Sequence, residues 1–426
     1  MQNRTSHVSV RALAIAAIAL AAASVAHAGT PTILSFYNLP PGTTSTHAPI
    51  NAGPFGIIVA INEPSGATSS NNLTQLGLAF SSPTVHTSAP GHTLLAPTSV
   101  SPTGLTAFLE ISPAGDTTPF SLILTTGASP PIPLPLLLPA VQRVREAAAR
   151  SSTTGGNIVY LFADASGATG LSSINPATGV IAPIFVPTPS LTLQTGFAAN
   201  GDSIALRAIN NTTGRAELHV IDTSTSAGPV NLAPASFIPT GRPSLNPNQV
   251  VSAGEIPGTA LKKAVLHVRK QGGDYSEPFI LPLPDTLTSL SPALNTRGDL
   301  VTLATAPSGT QSLLFLPAEY LLSLPLSPAG TPTPPPIENV PWQTLLSTGD
   351  LFAGSTLSSI LWDSGGIGDD GSATFAATFT SGQSAIYTIA IPEPSAALPL
   401  LAAAPLLLSR RRPTSPSPTG RTPTAG

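Results

Sequence analysis

Ser203 is the residue whose setting most resembles a nucleophile, since it follows a turn in Gly201-Asp202-Ser203-Ile204. A serine there would need a histidine placed beside it to take its proton. The body of the chain offers His47, His86, His92, His219 and His267. His219 and His267 are 48 residues apart, each between a leucine and a valine, so they could present two imidazoles to one metal or merely repeat one strand position. Asp363, Asp369 and Asp370 in WDSGGIGDDG could hold calcium through oxygen ligands, although the spacing is not that of an EF-hand and a polar turn accounts for it equally. Lys262-Lys263 with Arg269-Lys270 form the one basic cluster of the body and read as a solvated hairpin. Trp342, Trp362, Tyr37, Tyr160, Tyr275, Tyr320 and Tyr387 are too scattered to form a carbohydrate platform and are expected in the core. Cysteine is absent, which removes disulfides, thiolate metal sites and cysteine nucleophiles together. No phosphate loop, His-Glu-x-x-His helix or Gly-x-Ser-x-Gly elbow occurs. No residue is therefore assigned to catalysis, cofactor or metal, and the chain is expected not to be an enzyme.

The elements that would position these side chains follow from composition. Of 426 residues, 48 are proline and 36 glycine, while only 9% are charged. So much punctuation shortens helices and favours many short strands joined by turns, which predicts an all-β fold. The one helical stretch expected is VQRVREAAAR, residues 141–150, after the proline-rich tract 129–140. The formal charge is −3. Residues 1–28 and 393–426 hold 6 of the 17 basic and 1 of the 20 acidic side chains, so the body carries 11 and 19, a balance of −8. A mildly acidic body of about 360 residues can bury a large core but has no footprint for nucleic acid.

Between the ends the chain is self-similar. Each unit has a glycine, a short strand-like run, a turn glycine about eleven residues later and a second such run, as in Asn295-Thr296-Arg297-Gly298, DLVTLAT, Ser308-Gly309, TQSLLFL. Units start near Gly56, Gly104, Gly156, Gly201, Gln249, Gly298 and Gly371, at intervals of 48, 52, 45, 48, 49 and 73 residues. The long last interval contains a proline-rich insertion at 326–341. Alternation supports strands, with Ala373, Phe375, Ala377 and Phe379 on one face. A lone hairpin is barely stable, so the units must stack or close. Seven units of this length predict a β-propeller, probed against an open β-solenoid or a two-sheet sandwich array. The repeat also explains Gly201-Asp202-Ser203, because Gly298-Asp299-Leu300 occupies the same register without a serine. The likeness of that block to the Gly-Asp-Ser-Leu esterases is therefore set aside.

The pattern resembles the bacterial tandem-repeat family named for Asn-x-x-Gly-x-x-Ala-Phe. Gly104-Leu105-Thr106-Ala107-Phe108 matches its second half, and Asn295 to Thr302 reads Asn-x-x-Gly-x-x-Val-Thr. That resemblance implies an exported surface protein and supplies no activity.

Both ends read as addresses. Arg4 and Arg11 precede an apolar run from Ala12 to Val25 and then Ala26-His27-Ala28, the pattern of a secretory signal peptide over 1–28 cleaved after Ala28. At the other end Pro392-Glu393-Pro394, an apolar stretch from Ala396 to Leu408 and Arg410-Arg411-Arg412 resemble the PEP-CTERM sorting signal of Gram-negative bacteria. In that family an exosortase recognises such a segment in the membrane. The organisation expected is 1–28 signal peptide, 29–391 repeat domain, 392–412 sorting signal and 413–426 disordered tail. The expected partners are a Sec-type export machinery and an exosortase-like enzyme, with transient membrane insertion of the C-terminal segment and exopolysaccharide as a candidate ligand. The functional expectation is an exported surface or matrix scaffold, and the alternative is a secreted propeller enzyme, a lyase or glycosidase, built on carboxylates that converge at one mouth.

Overall fold

The computed structural model describes residues 31–392 apart from internal stretches, chiefly 52–56, 77–83, 96–104, 112–116, 124–142, 150–156 and 325–339. Of the proposed unit starts, Gly56, Gly104 and Gly156 lie outside the described residues. So do the proline-rich tract 129–140, nearly all of 326–341, the cleavage residues Ala26 and Ala28, and the sorting residues Glu393, Pro394, Arg410, Arg411 and Arg412. Pro392 is the last residue described.

Among the described residues seven antiparallel sheets are formed, one per sequence unit. Blade 1 is built on Ile57–Ser65 and Thr68–Leu76, blade 2 on Leu105–Ile111 and Thr117–Ile123, and blade 3 on Arg143–Ala149, Ile158–Ala163 and Thr169–Ile174. Blade 4 uses Ser203–Asn210 and Arg215–Asp222, blade 5 Gln249–Glu255 and Lys262–Val268, and blade 6 Ser289–Leu294, Leu300–Thr305 and Gln311–Leu316. Blade 7 contains Ser355–Leu361, Ser372–Phe379 and Ser384–Ala390 and is completed by the N-terminal strand Ile33–Asn38, which pairs with Ser384–Ala390. The first ordered strand thus finishes the last blade, and a closed ring leaves no open end sheet to aggregate. Blade 7 also meets blade 1 through Asn51, whose amide hydrogen-bonds the Gly365 carbonyl at 2.8 Å and whose side chain reaches the Ser372 hydroxyl at 2.7 Å. The fold is a seven-bladed β-propeller.

In blades 4, 6 and 7 the repeat glycine, Gly201, Gly298 or Gly371, sits in the turn between the first and second strand. In blade 6 the Asn295 side chain accepts the Asp299 amide at 2.8 Å and donates to the Gly368 carbonyl of blade 7 at 3.2 Å, while Asn246 of blade 5 donates to the Asn295 carbonyl at 2.9 Å. The Asn-x-x-Gly turn is therefore a clasp between consecutive blades as well as a corner. Gly298 has φ of 94°, and a Cβ there would stand 2.9 Å from the Gln249 side-chain oxygen. Any other residue would meet both a backbone and a steric penalty.

Cores lie between blades. Ala293, Val301 and Phe315 of blade 6 pack with Leu357, Phe375 and Tyr387 of blade 7, and Val251 and Leu266 of blade 5 pack with Leu290, Leu300 and Leu314 of blade 6. Trp362 is buried in the first of these clusters and donates its indole N–H to the Ser291 carbonyl at 3.2 Å. The one helix among the described residues is Ala318–Ser323.

One expectation is corrected. Within the stretch 141–150 expected to be helical, the described segment Arg143–Ala149 is a strand paired with Ile158–Ala163. Helix propensity is a weak prior for so short a segment, and the open edge of a neighbouring strand offers its backbone a complete set of partners. The register shifts between Val144 and Glu146, a bulge that re-aims the Glu146 side chain.

Candidate functional site

Three blades send charged groups to one point on the inner side of the ring. Glu146, on the innermost strand of blade 3, accepts the Gly196 amide of blade 4 at 2.5 Å and the Arg242 Nη2 of blade 5 at 2.6 Å. Arg242 lies between the short inner strands Ile238–Pro239 and Ser244–Leu245. Its Nη1 donates to Asp363 Oδ2 at 3.1 Å, just past the inner strand Ser355–Leu361 of blade 7. One guanidinium thus bridges two carboxylates that are 217 residues apart in sequence.

The two carboxylates stand in different surroundings. The Glu146 side chain is 8% exposed and that of Asp363 49%. Burial pushes the Glu146 carboxyl above the usual carboxylate range, opposed by the Arg242 charge and by the amides of Gly196 and Phe197. Gly196, with φ of 93°, turns its N–H toward Glu146, a backbone conformation that a side chain would strain. Behind Arg242, Arg207 donates to the Thr240 carbonyl and, at 3.2 Å, to the Gln194 side chain, which fixes the loop that carries the cluster. The Arg242 Nε is buried without a hydrogen-bond partner among the described residues.

Of the residues singled out from sequence, only Asp363 belongs to this cluster. Asp369 accepts the Thr296 amide at 2.8 Å, and Asp370 accepts the Ser372 amide at 3.0 Å, so both serve turns. Ser203 is buried opposite Asp222, and no histidine hydrogen-bonds it among the described residues. His219 and His267 occupy equivalent strands of blades 4 and 5, each with its own partner: Glu217 at 2.8 Å and the Ser276 carbonyl at 3.3 Å. Among the described residues no three His, Asp or Glu side chains gather as metal ligands. Lys262 pairs with Glu255, and Arg269 pairs with Asp222 at 2.6 Å. Gly201, Gly298 and Gly371 sit at their turns with positive φ. Glu146, Arg242 and Gly196 carry no motif. Glu146 lay inside the stretch read as a helix, and Arg242 lay between repeat units, so only the ring brings them together.

No protein-family model matches the sequence, and no curated protein is similar enough to it to indicate kinship. Solved structures show the fold. An oligogalacturonate lyase from Vibrio parahaemolyticus is 11% identical, with 86% of this chain and 99% of that chain covered at a TM-score of 0.50. A puromycin hydrolase is 16% identical over 68% of this chain at a TM-score of 0.44, and this chain spans 44% of its length. TolB from Acinetobacter baumannii is 12% identical over 64% of this chain and 61% of that one, at a TM-score of 0.39. The expectation that the chain is not an enzyme is corrected by the lyase, an enzyme that shares the fold at a TM-score of 0.50. It rested on the scatter of acidic residues along the sequence, and the ring gathers two of those acids on one guanidinium. No helix among the described residues is long and apolar enough to cross a membrane.

Proposed function

We propose that the chain is an exported propeller-fold enzyme of the glycosidase class that cleaves an uncharged extracellular polysaccharide at the inner mouth of the ring. The observation that carries this reading is the bridge from Glu146 through Arg242 to Asp363. Glycoside cleavage uses two carboxyl groups roughly 5–9.5 Å apart, one holding a proton and one ionised, and a single guanidinium between two carboxyls enforces that scale of separation. Burial gives Glu146 the raised proton affinity of a general acid. Asp363, bridged to Arg242 at 3.1 Å, is open enough to meet substrate and acts as nucleophile or as base toward water.

With Glu146 protonated the site sets one carboxylate against one guanidinium, and the body as a whole carries an acidic excess. An acidic sugar would be repelled, which favours a neutral glycan over the uronate that a lyase requires. The leader at 1–28 and the Pro392 to Arg412 segment support export and C-terminal sorting. The test is release of reducing ends from a panel of neutral polysaccharides by the wild type, Glu146→Gln and Asp363→Asn. The expected result is release by the wild type, a fall of at least a hundredfold in both variants, and loss of the alkaline limb of the pH profile in Glu146→Gln. No release on any substrate, or release unchanged in both variants, would sink the reading.

A further inference from the structure

A second feature lies at the other end of blade 7. The closing strand Ile33–Asn38 places Phe36 opposite Tyr387, and the two rings stack at 5.9 Å with an interplanar angle of 22°. Phe379 meets the edge of Tyr387 at 6.0 Å and 81°. Tyr387 and Phe379 are buried, whereas Phe36 is 51% exposed and Leu34 56%. These rings floor an open groove of about 570 Å³ whose lining also includes Asn38, Ser355 and Gln383. The side-chain amides of Asn38 and Gln383 have no intramolecular hydrogen bond among the described residues, so they are available to a ligand. Ser355 begins the inner strand at whose far end Asp363 stands, which separates the groove from the Arg242 cluster by on the order of 20 Å.

No described residue of the lining is charged, although the body has an acidic excess. The volume falls in the roughly 300–1,000 Å³ range of small-molecule sites. An exposed ring with a negative face attracts the C–H edges of a sugar, and side-chain amides and hydroxyls match its hydroxyl groups. We infer that this groove is a binding subsite for two or three units of a neutral glycan chain, with Phe36 as the stacking platform and Asn38 and Gln383 as hydrogen-bonding groups. It would hold an extended polysaccharide on the rim independently of any chemistry at the inner mouth. Positioning Phe36 on the strand that closes the ring also means that the platform forms only when the propeller is complete.

The test is affinity electrophoresis of the full chain in gels containing laminarin, dextran, galactomannan or xyloglucan. At least one of these polymers should retard the wild type, and Phe36→Ala should weaken that retardation about tenfold. Because Phe36 lies on the closing strand, Gln383→Ala in an exposed turn provides a variant that leaves the closure intact, and it too should weaken retardation severalfold. Glu146→Gln should bind as the wild type does. Retardation by none of the polymers, or retardation unchanged in both groove variants, would overturn the inference. So would a wild-type dimer that Phe36→Ala converts to monomer with no response to any glycan. Retardation without cleavage would overturn the reading of the inner mouth and leave the groove standing.

Discussion

Replacing His267 should flatten the acid side of the stability profile. The His267 ring is 1% exposed in the second strand pair of blade 5, with Nδ1 facing the Ser276 carbonyl and Nε2 buried without a partner among the described residues. Protonation would place a charge in the core with no acceptor for Nε2 among the described residues, and burial, opposed by the hydrogen bond to the Ser276 carbonyl, lowers its pKa from the usual 6.5 to about 4. The unfolded chain then binds more protons than the folded one between those values, and stability is lost as pH falls through that window. The full gap corresponds to about 3 kcal/mol at about 1.4 kcal/mol per pH unit, and about 2 kcal/mol of it is gone near pH 5. His267→Gln retains a donor toward Ser276 and cannot titrate. Urea unfolding of both proteins from pH 7.5 down to pH 4.5 should show a wild-type curve falling by that amount more than the variant. His219, whose pKa burial also lowers, titrates in both proteins and cancels in the difference. Parallel curves would refute the claim that His267 is buried neutral.

Other perturbations test other joints. Glu146→Ala should cost about 2–4 kcal/mol in thermal or urea unfolding, because it leaves Arg242 half-buried with one carboxylate fewer. Asn295→Ala removes the blade 6 to blade 7 clasp and should cost about 2 kcal/mol, with faster amide exchange at Asp299 as the local readout. At Gly254 a Cβ would collide with the Phe237 ring and the Ile238 carbonyl, so Gly254→Ala should destabilise by about 1–3 kcal/mol, whereas Gly214→Ala, open around its Cβ, should lose only the cost of its φ of 69°. Mass spectrometry of the native protein from a cell-surface fraction should find peptides beginning at Gly29 and none beyond the Pro392 to Pro394 region. Residues 413–426 on freely soluble protein would refute C-terminal sorting.

The blade architecture was legible because it is local. Six of the seven units repeat a glycine at the turn, and alternation along runs such as Ala373 to Phe379 declares a strand without reference to the rest of the chain. Closure by Ile33–Asn38 was not legible, since nothing in that segment names a partner some 350 residues away. The misread stretch 141–150 shows the same limit: its local preference for helix yields to the pairing edge of Ile158–Ala163. Asp363 could be named from its turn, but not its role, which depends on Arg242 at a sequence separation of 121 and Glu146 beyond that.

Composition, period and turn chemistry by themselves determined an all-β chain of seven hairpin-bearing units, because these follow from interactions within about a dozen residues. Only the tertiary structure decided which carboxylates converge and which aromatic ring is left facing solvent. Convergence on Arg242 and exposure of Phe36 are properties of ring closure, and the free energy of closing contacts between distant segments is not written in any one of them.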